Sequence, residues 1–241
     1  MDTPAPGVYE DISDSEYRAM PAVGHSDLRQ WISGHKATGR ALTIGALLHD
    51  YVLRPQLVKG RYVGTGEQFD LRTKDGKTAL ALLEESTGKV AIQPSEKELV
   101  AHMVRGLRQD AKCAKALDAK RMTEVVLVAE MHGVLCKGKL DILADKFIAD
   151  LKSTGCENAQ SFLDSIYRFG YHSQGAFYTD LCAALHNGIH RPFLFLCTSK
   201  RVCDAWVTRL SPEQYAAGSR WVEDTLTLWK RYGGNDGDQN N

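Results

Sequence analysis

The sequence predicts a mixed α/β fold of the α+β type, with a central mixed sheet flanked by helices. Three observations carry this. Thr123–Glu130, Gly133–Leu143 and Phe147–Ser153 are adjoining strand-length stretches rich in apolar and β-branched residues, the first two forming a hairpin around Met131-His132-Gly133. Helical spacing of apolar residues marks segments on either side of them. Two more strand-like runs, Phe193–Cys197 and Val202–Val207, follow before a last amphipathic helix. With 241 residues, 43% of them hydrophobic, the chain fits one domain over 1–232. Its first 60 residues are read as a helical part contributing to the site, and residues 233–241 as a disordered polar tail.

Met1–Gly7 reads as a mobile lead. Ser13–Ala19 is expected to be a short helix. Ser26 stands as the N-cap of a helix over Asp27–Ile32, with Asp27 in its first turn. A stronger helix starts at Thr38: Ala41, Ile44, Leu47, Leu48, Tyr51 and Val52 fall on one stripe, and Pro55 ends it. His49 sits beside that stripe, where it can be either packing or a ligand. Arg61–Val63 reads as a short strand, the glycine-rich Gly64–Gly76 as a loop over a site, Thr78–Ser86 as a helix and Lys89–Ile92 as a strand. Ser95 and Glu98 match a capping box opening a helix to Gln109, and Ala111–Leu117 is a further helix. Asn158–Phe169 and Tyr171–Leu185 are two helices broken at Gly170, and Ser211 caps the last one.

Thirty basic and thirty acidic residues give zero net charge, so any nucleic-acid contact must come from local clustering. Arg105, Arg108, Lys112, Lys115, Lys120 and Arg121 form one such cluster, a solvated face or a DNA-facing patch. No apolar run approaches the ~20 residues of a membrane span, and no signal peptide is expected. The six cysteines form no C-x-x-C pair, which argues against a zinc ribbon or a disulfide framework and fits a reducing cytoplasm.

The chemistry concentrates in Ile148-Ala149-Asp150-Leu151-Lys152-Ser153-Thr154. Positions two apart on a strand share a face, so Asp150 and Lys152 project together while Phe147, Ala149 and Leu151 face a core. On the strand before, Lys137, Lys139 and Asp141 share one face, with Cys136, Leu140 and Ile142 on the other. Two carboxylates and a lysine on one sheet surface suit metal-assisted phosphodiester hydrolysis. Tyr171, Gln174 and Tyr178 follow at i, i+3 and i+7, one helical face.

Four motifs in this order resemble the PD-(D/E)XK nuclease superfamily, and within it the RecE-type phage recombination exonucleases. They are Gly45-Ala46-Leu47-Leu48-His49, Gly138-Lys139-Leu140-Asp141, Asp150-Leu151-Lys152-Ser153-Thr154, and Tyr171 to Tyr178 with Gln174 between. The resemblance implies a restriction-endonuclease-like core and particular roles. Asp141 and Asp150 would be metal-binding carboxylates, the Leu151 carbonyl a backbone ligand, and His49 would complete a site for Mg²⁺ or Mn²⁺. Lys152 would orient or activate the attacking water. Gln174 and Tyr178 would support the site and the substrate phosphate. Glu124 falls where relatives often carry an acid. Ser26 and Arg29 would offer a hydroxyl and a guanidinium to a terminal 5′-phosphate.

The activity so implied is a metal-dependent deoxyribonuclease, an exonuclease degrading linear double-stranded DNA 5′ to 3′. It would act as a ring-shaped homo-oligomer on duplex ends and hand 3′ tails to a single-strand annealing protein. A Cas4-like or repair nuclease of the same fold is one alternative. Its iron–sulfur cysteines are not matched here: Cys197 and Cys203 are separated by five residues and no cysteine precedes Cys113. A non-catalytic DNA-binding protein is another.

Overall fold

A computed structural model describes residues 3–34 and 39–233. In chain order the elements are β1 (Gly7–Tyr9), α1 (Asp14–Ala19), α2 (His25–Ser33), α3 (Arg40–Leu53), a 3₁₀ turn (Pro55–Leu57), α4 (Val58–Arg61), β2 (Tyr62–Gly64), α5 (Lys74–Thr87), β3 (Val90–Ile92), α6 (Pro94–Gln109) and α7 (Ala111–Asp118). Then come β4 (Arg121–Met131), β5 (Val134–Ala144), β6 (Ile148–Thr154), α8 (Ala159–Asp164), α9 (Tyr171–Leu185), β7 (Phe193–Ser199), β8 (Ala205–Arg209) and α10 (Pro212–Tyr232).

Six strands form one sheet in the order β1-β4-β5-β6-β7-β8. Only the β6–β7 pair is parallel. A parallel pair needs a crossover, and α8 with α9 supplies it. β2 and β3 make a separate parallel pair. The expected mixed sheet with flanking helices is thus the observed one.

Both faces of the sheet are covered. On one, α9 and α10 pack over a core that includes Val125, Leu140, Phe177, Phe195 and Leu226. On the other, α3, α6 and α7 bring Leu47, Leu48, Met103 and Leu107 against Leu151 and Leu196. This explains why Ile148 to Leu151 are all buried: successive side chains enter opposite cores, Ile148 the first and Ala149 and Leu151 the second.

Several sequence expectations are corrected. Ser26 does not cap α2. The N-cap is Gly24, whose N–H donates to the Asp27 carboxylate at 2.8 Å, leaving Ser26 exposed in the first turn. The capping box of α6 is Gln93 with Glu96, not Ser95 with Glu98; Pro94 favours the first helical position, which places the cap one residue earlier. The expected start of α3 at Thr38 lies outside the described residues. The helix expected over Asn158–Phe169 is regular only to Asp164. Turns follow up to Gly170, which takes φ +67° in the left-handed region. β8 starts at Ala205 because a tight turn occupies 200–204, with Cys203 at φ +60°. Of the expected mobile lead over Met1–Gly7, Gly7 belongs instead to a strand: β1 pairs with β4.

The face assignment on β5 also changes. Cys136 and Leu140 enter the α9–α10 core, whereas Ile142 enters the opposite one and Leu143 rejoins the first. The alternation therefore slips by one residue between Leu140 and Leu143. Facing this point in the hairpin register, Glu124 of β4 has φ +55°, and β4 slips as well, Met122 and Val125 both facing the first core. A non-glycine residue at positive φ distorts the pleat.

Candidate active site

The site is built where the sheet splits. β5 pairs with β6 only through Ile142↔Ala149 and Leu143↔Ile148. Beyond that the strands part, and the Leu151 N–H donates to the Asp141 carboxylate at 2.7 Å in place of a ladder bond. The free edge of β5 is taken instead by Val23, whose N–H donates to Leu135 O and whose carbonyl accepts from Lys137 N.

His49 projects from α3 into the split. Its Nε2 lies 2.8 Å from Leu151 O, and its Nδ1 lies 3.5 Å from Asp141 and 3.9 Å from Glu124. His49, Glu124 and Asp141 each offer a ligand atom, all within 4.8 Å of one another, and among the described residues this is the metal-competent group of three that emerges. Burial opposes charge on His49, but Asp141, with help from Glu124 and Asp150, outweighs it and holds the imidazole well above its ordinary pKa. At Asp141 burial pushes the carboxyl up, and His49 outweighs it to hold the group below the usual carboxylate range. Two carboxylates, one imidazole and a backbone carbonyl are mainly hard oxygen donors. The set fits a divalent cation of the Mg²⁺ or Mn²⁺ type, the imidazole favouring Mn²⁺.

Cations brace the acids. Arg54 reaches Glu124 at 3.4 Å and Asp50 at 3.0 Å, and Lys139 reaches Glu124 at 3.3 Å and Asp14 at 2.6 Å. Asp50 is fully buried and also takes Arg61 and the Tyr62 hydroxyl. Neither Arg54 nor the pairing role of Lys139 was expected. They lack a motif, and only the fold brings them to Glu124.

Asp150 and Lys152 do share a face, with Lys152 Nζ 2.7 Å from Asp150 Oδ2. Gln174 of α9 donates to Asp150 Oδ1 at 2.9 Å. Burial, with Asp141 nearby, pushes the Asp150 carboxyl up to about 6 in spite of Lys152. Burial works against the ammonium of Lys152, and Asp150 outweighs it, so its pKa rises. The ammonium also lies 4.9 Å from the centre of the Tyr171 ring. Tyr178 packs deeper, on Gly138. A Cβ at Gly138 would stand 2.8 Å from Leu181 and 3.0 Å from Tyr178, so this glycine lets α9 close on β5. Burial raises the Tyr178 hydroxyl well above its ordinary pKa, keeping it neutral.

A cleft of about 580 Å³ opens over this ground, lined by His49, Glu124, Asp141, Ser153, Tyr171 and Lys200 among others. A larger groove of about 880 Å³ lies apart, between α8, the end of α9 and the start of α10, and holds none of these residues. Neither Ser26 nor Arg29 lines the cleft. Arg29 donates through Nη1 to the Phe169 carbonyl and packs its guanidinium on Gly170. The 65–73 loop turns elsewhere, with Gln68 and Phe69 bonding to the Gln93 side chain. In the basic cluster Arg108 pairs with Asp118 at 2.8 Å. All six cysteines are free thiols, and no helix among the described residues is long and apolar enough to cross a membrane.

Comparison with known proteins agrees with this architecture. A crystal structure from Eubacterium rectale, whose protein carries the name exonuclease as an assignment, superposes with a TM-score of 0.58 at 16% identity over 89% of this chain and 75% of that one. At that identity the likeness is one of fold. A second structure, of the protein SSO0001, covers 77% of this chain and 86% of its own at 14% identity, with a TM-score of 0.32 that supports no argument. No curated protein matches the sequence. The profile of the PDDEXK-like domain of unknown function DUF3799 matches residues 8–232, nearly the whole chain. The split sheet carrying Asp141, Asp150 and Lys152 thus sits in a chain that belongs to this PDDEXK-like family, within the PD-(D/E)XK nuclease superfamily.

Proposed function

We propose that the protein is a divalent-metal-dependent deoxyribonuclease, an exonuclease that degrades linear double-stranded DNA 5′ to 3′ and leaves 3′ single-stranded tails for strand annealing. One observation supports the chemistry most: His49, Glu124 and Asp141 converge within 4.8 Å in one cleft, and the Leu151 carbonyl that His49 meets lies between Asp150 and Lys152 in the chain. Polarity, a ring-shaped homo-oligomer and a single-strand annealing partner rest on the resemblance to RecE-type exonucleases.

In this reading His49, Asp141, Asp150 and the Leu151 carbonyl would hold Mg²⁺ or Mn²⁺, with Glu124 as a further acid on the same cleft. A bound ion would lower the pKa of its water and offset the charge that builds on the scissile phosphate. The protein's own groups do the rest. Lys152 is held by Asp150 and the Tyr171 ring, and in this reading it would orient a water against the phosphate. Gln174 holds Asp150 from behind, so the pair keeps one geometry. Arg54 and Lys139 keep Glu124 from swinging away.

The test is digestion of linear duplexes labelled at the 5′ or the 3′ end, alongside covalently closed circles. Stepwise release of the 5′ label, with circles untouched, is the expected pattern. Release from the 3′ end alone would overturn the polarity, and cutting of closed circles would overturn the exonuclease assignment.

A further inference from the structure

A ring path leads from the surface to the site lysine. Phe169 lines the cleft yet leaves 42% of its surface to solvent. Its ring centre is 5.6 Å from that of Tyr171, and Tyr171 lies under the Lys152 ammonium at 4.9 Å. The Arg168 guanidinium lies over the Phe169 ring, 5.5 Å from its centre. Next to them Tyr167 is 55% exposed. An exposed aromatic at the edge of a cleft lined with charged groups is an unusual place to leave apolar surface in water.

Phe169 is also rigidly held. Its N–H donates to Ser165 O at 3.1 Å, and its carbonyl accepts from Arg29 Nη1. Gly170 turns the chain at φ +67°, and a Cβ there would stand 2.8 Å from the Arg29 guanidinium carbon. Arg29 thus occupies the space that any larger residue at 170 would need, and it fixes the turn that presents Phe169. Arg29 thereby positions the turn.

We propose that Phe169 is a stacking platform for an unpaired nucleobase at the cleft, the base displacing the Arg168 guanidinium from the ring towards the strand's phosphates. This deepens the nuclease reading above and rests on it. An aromatic face accepts any base once it is out of the duplex, and the stacking is lost when the base is removed. A base within a duplex presents no free face to Phe169. The substrate that engages the site is therefore a strand whose terminal nucleotide has left its pair, and a frayed end is preferred over a blunt one.

The experiment uses the full chain and three otherwise identical DNAs: a blunt duplex, one with a single mismatched 5′ nucleotide, and the same with that nucleotide abasic. Binding is read by fluorescence anisotropy in EDTA, and cleavage is read in Mn²⁺. The wild type is expected to bind and cleave the mismatched end about tenfold better than the abasic one. Phe169→Ala should lose that difference and Phe169→Trp should keep it. Arg29→Ala should weaken it equally on phosphorylated and unphosphorylated ends. If Phe169→Ala keeps the full base dependence while cleavage persists, the platform is wrong and the nuclease reading stands. Should no protein cleave any DNA, the nuclease reading falls, and the anisotropy series alone decides whether Phe169 stacks a base.

Discussion

Asp150 is the residue whose chemistry is most at odds with its surroundings. Its carboxyl is pushed up to about 6, chiefly by burial, against about 3.9 for an exposed aspartate. The folded state therefore holds a proton that the unfolded chain releases between those two values. Stability falls as pH rises from about 4 to 6, and the whole cost is present above 6. Asp150→Asn is accordingly expected to raise the melting temperature of the metal-free protein at pH 8, with the gain fading near pH 4. Melting curves at the two pH values check this, and an equal gain at both would show that charge is not the cause. His49 makes a different prediction. Its Nδ1 faces two carboxylates and its Nε2 the Leu151 carbonyl, so His49→Ala should raise the half-maximal Mn²⁺ concentration about tenfold or more. An unchanged Mn²⁺ titration with a lower melting temperature would return His49 to a packing role. The Asp-x-Lys pair was legible because strand alternation needs only spacing. Arg54 at Glu124 was not, since nothing in the sequence ties residue 54 to residue 124.

At the scale of elements, α9 organises the molecule. Gln174 reaches Asp150, Tyr171 backs Lys152, and Phe177 fills the core. Its position depends on α2, where His25 is buried between Phe177 and Trp221 and its Nε2 lies 2.9 Å from Ser173 Oγ. Burial, helped by Arg29, Lys152 and His172, pushes the His25 pKa down to about 3. Here the unfolded chain takes the proton that the fold refuses. Stability is expected to fall as pH drops from about 6.5 towards 3, by ~1.4 kcal/mol per pH unit at most. The melting temperature of the wild type should decline more steeply from pH 6 to 4 than that of His25→Gln; parallel declines would contradict this. Long periodic helices such as α3, α9 and α10 were readable from their apolar spacing. The helix ends were less so. Ser26 looks like a cap by residue type, yet the chain enters α2 through Gly24 because Val23 is engaged on β5. That constraint comes from a strand more than a hundred residues away.

For the molecule as a whole, the parting of β5 from β6 and the slipped pleat at Glu124 define the site. The fold class was legible, because three adjoining strands between helical blocks restrict the sheet to few arrangements. The split was not, because Leu140, Ile142 and Leu143 read as one apolar run and only their tertiary partners separate them. The same geometry fixes what must be measured. In the proposed reaction, phosphodiester hydrolysis runs through Asp150 and Lys152 with a divalent cation. The direct measurement is the rate of linear duplex hydrolysis in Mg²⁺ and in Mn²⁺ by the wild type, Asp150→Ala and Lys152→Ala, with melting curves for each. Cleavage by the wild type that EDTA abolishes is expected, with a loss of at least about a hundredfold in each variant and the fold retained. A folded variant of either residue that cleaves at the wild-type rate, or wild-type cleavage that persists in EDTA, would contradict it.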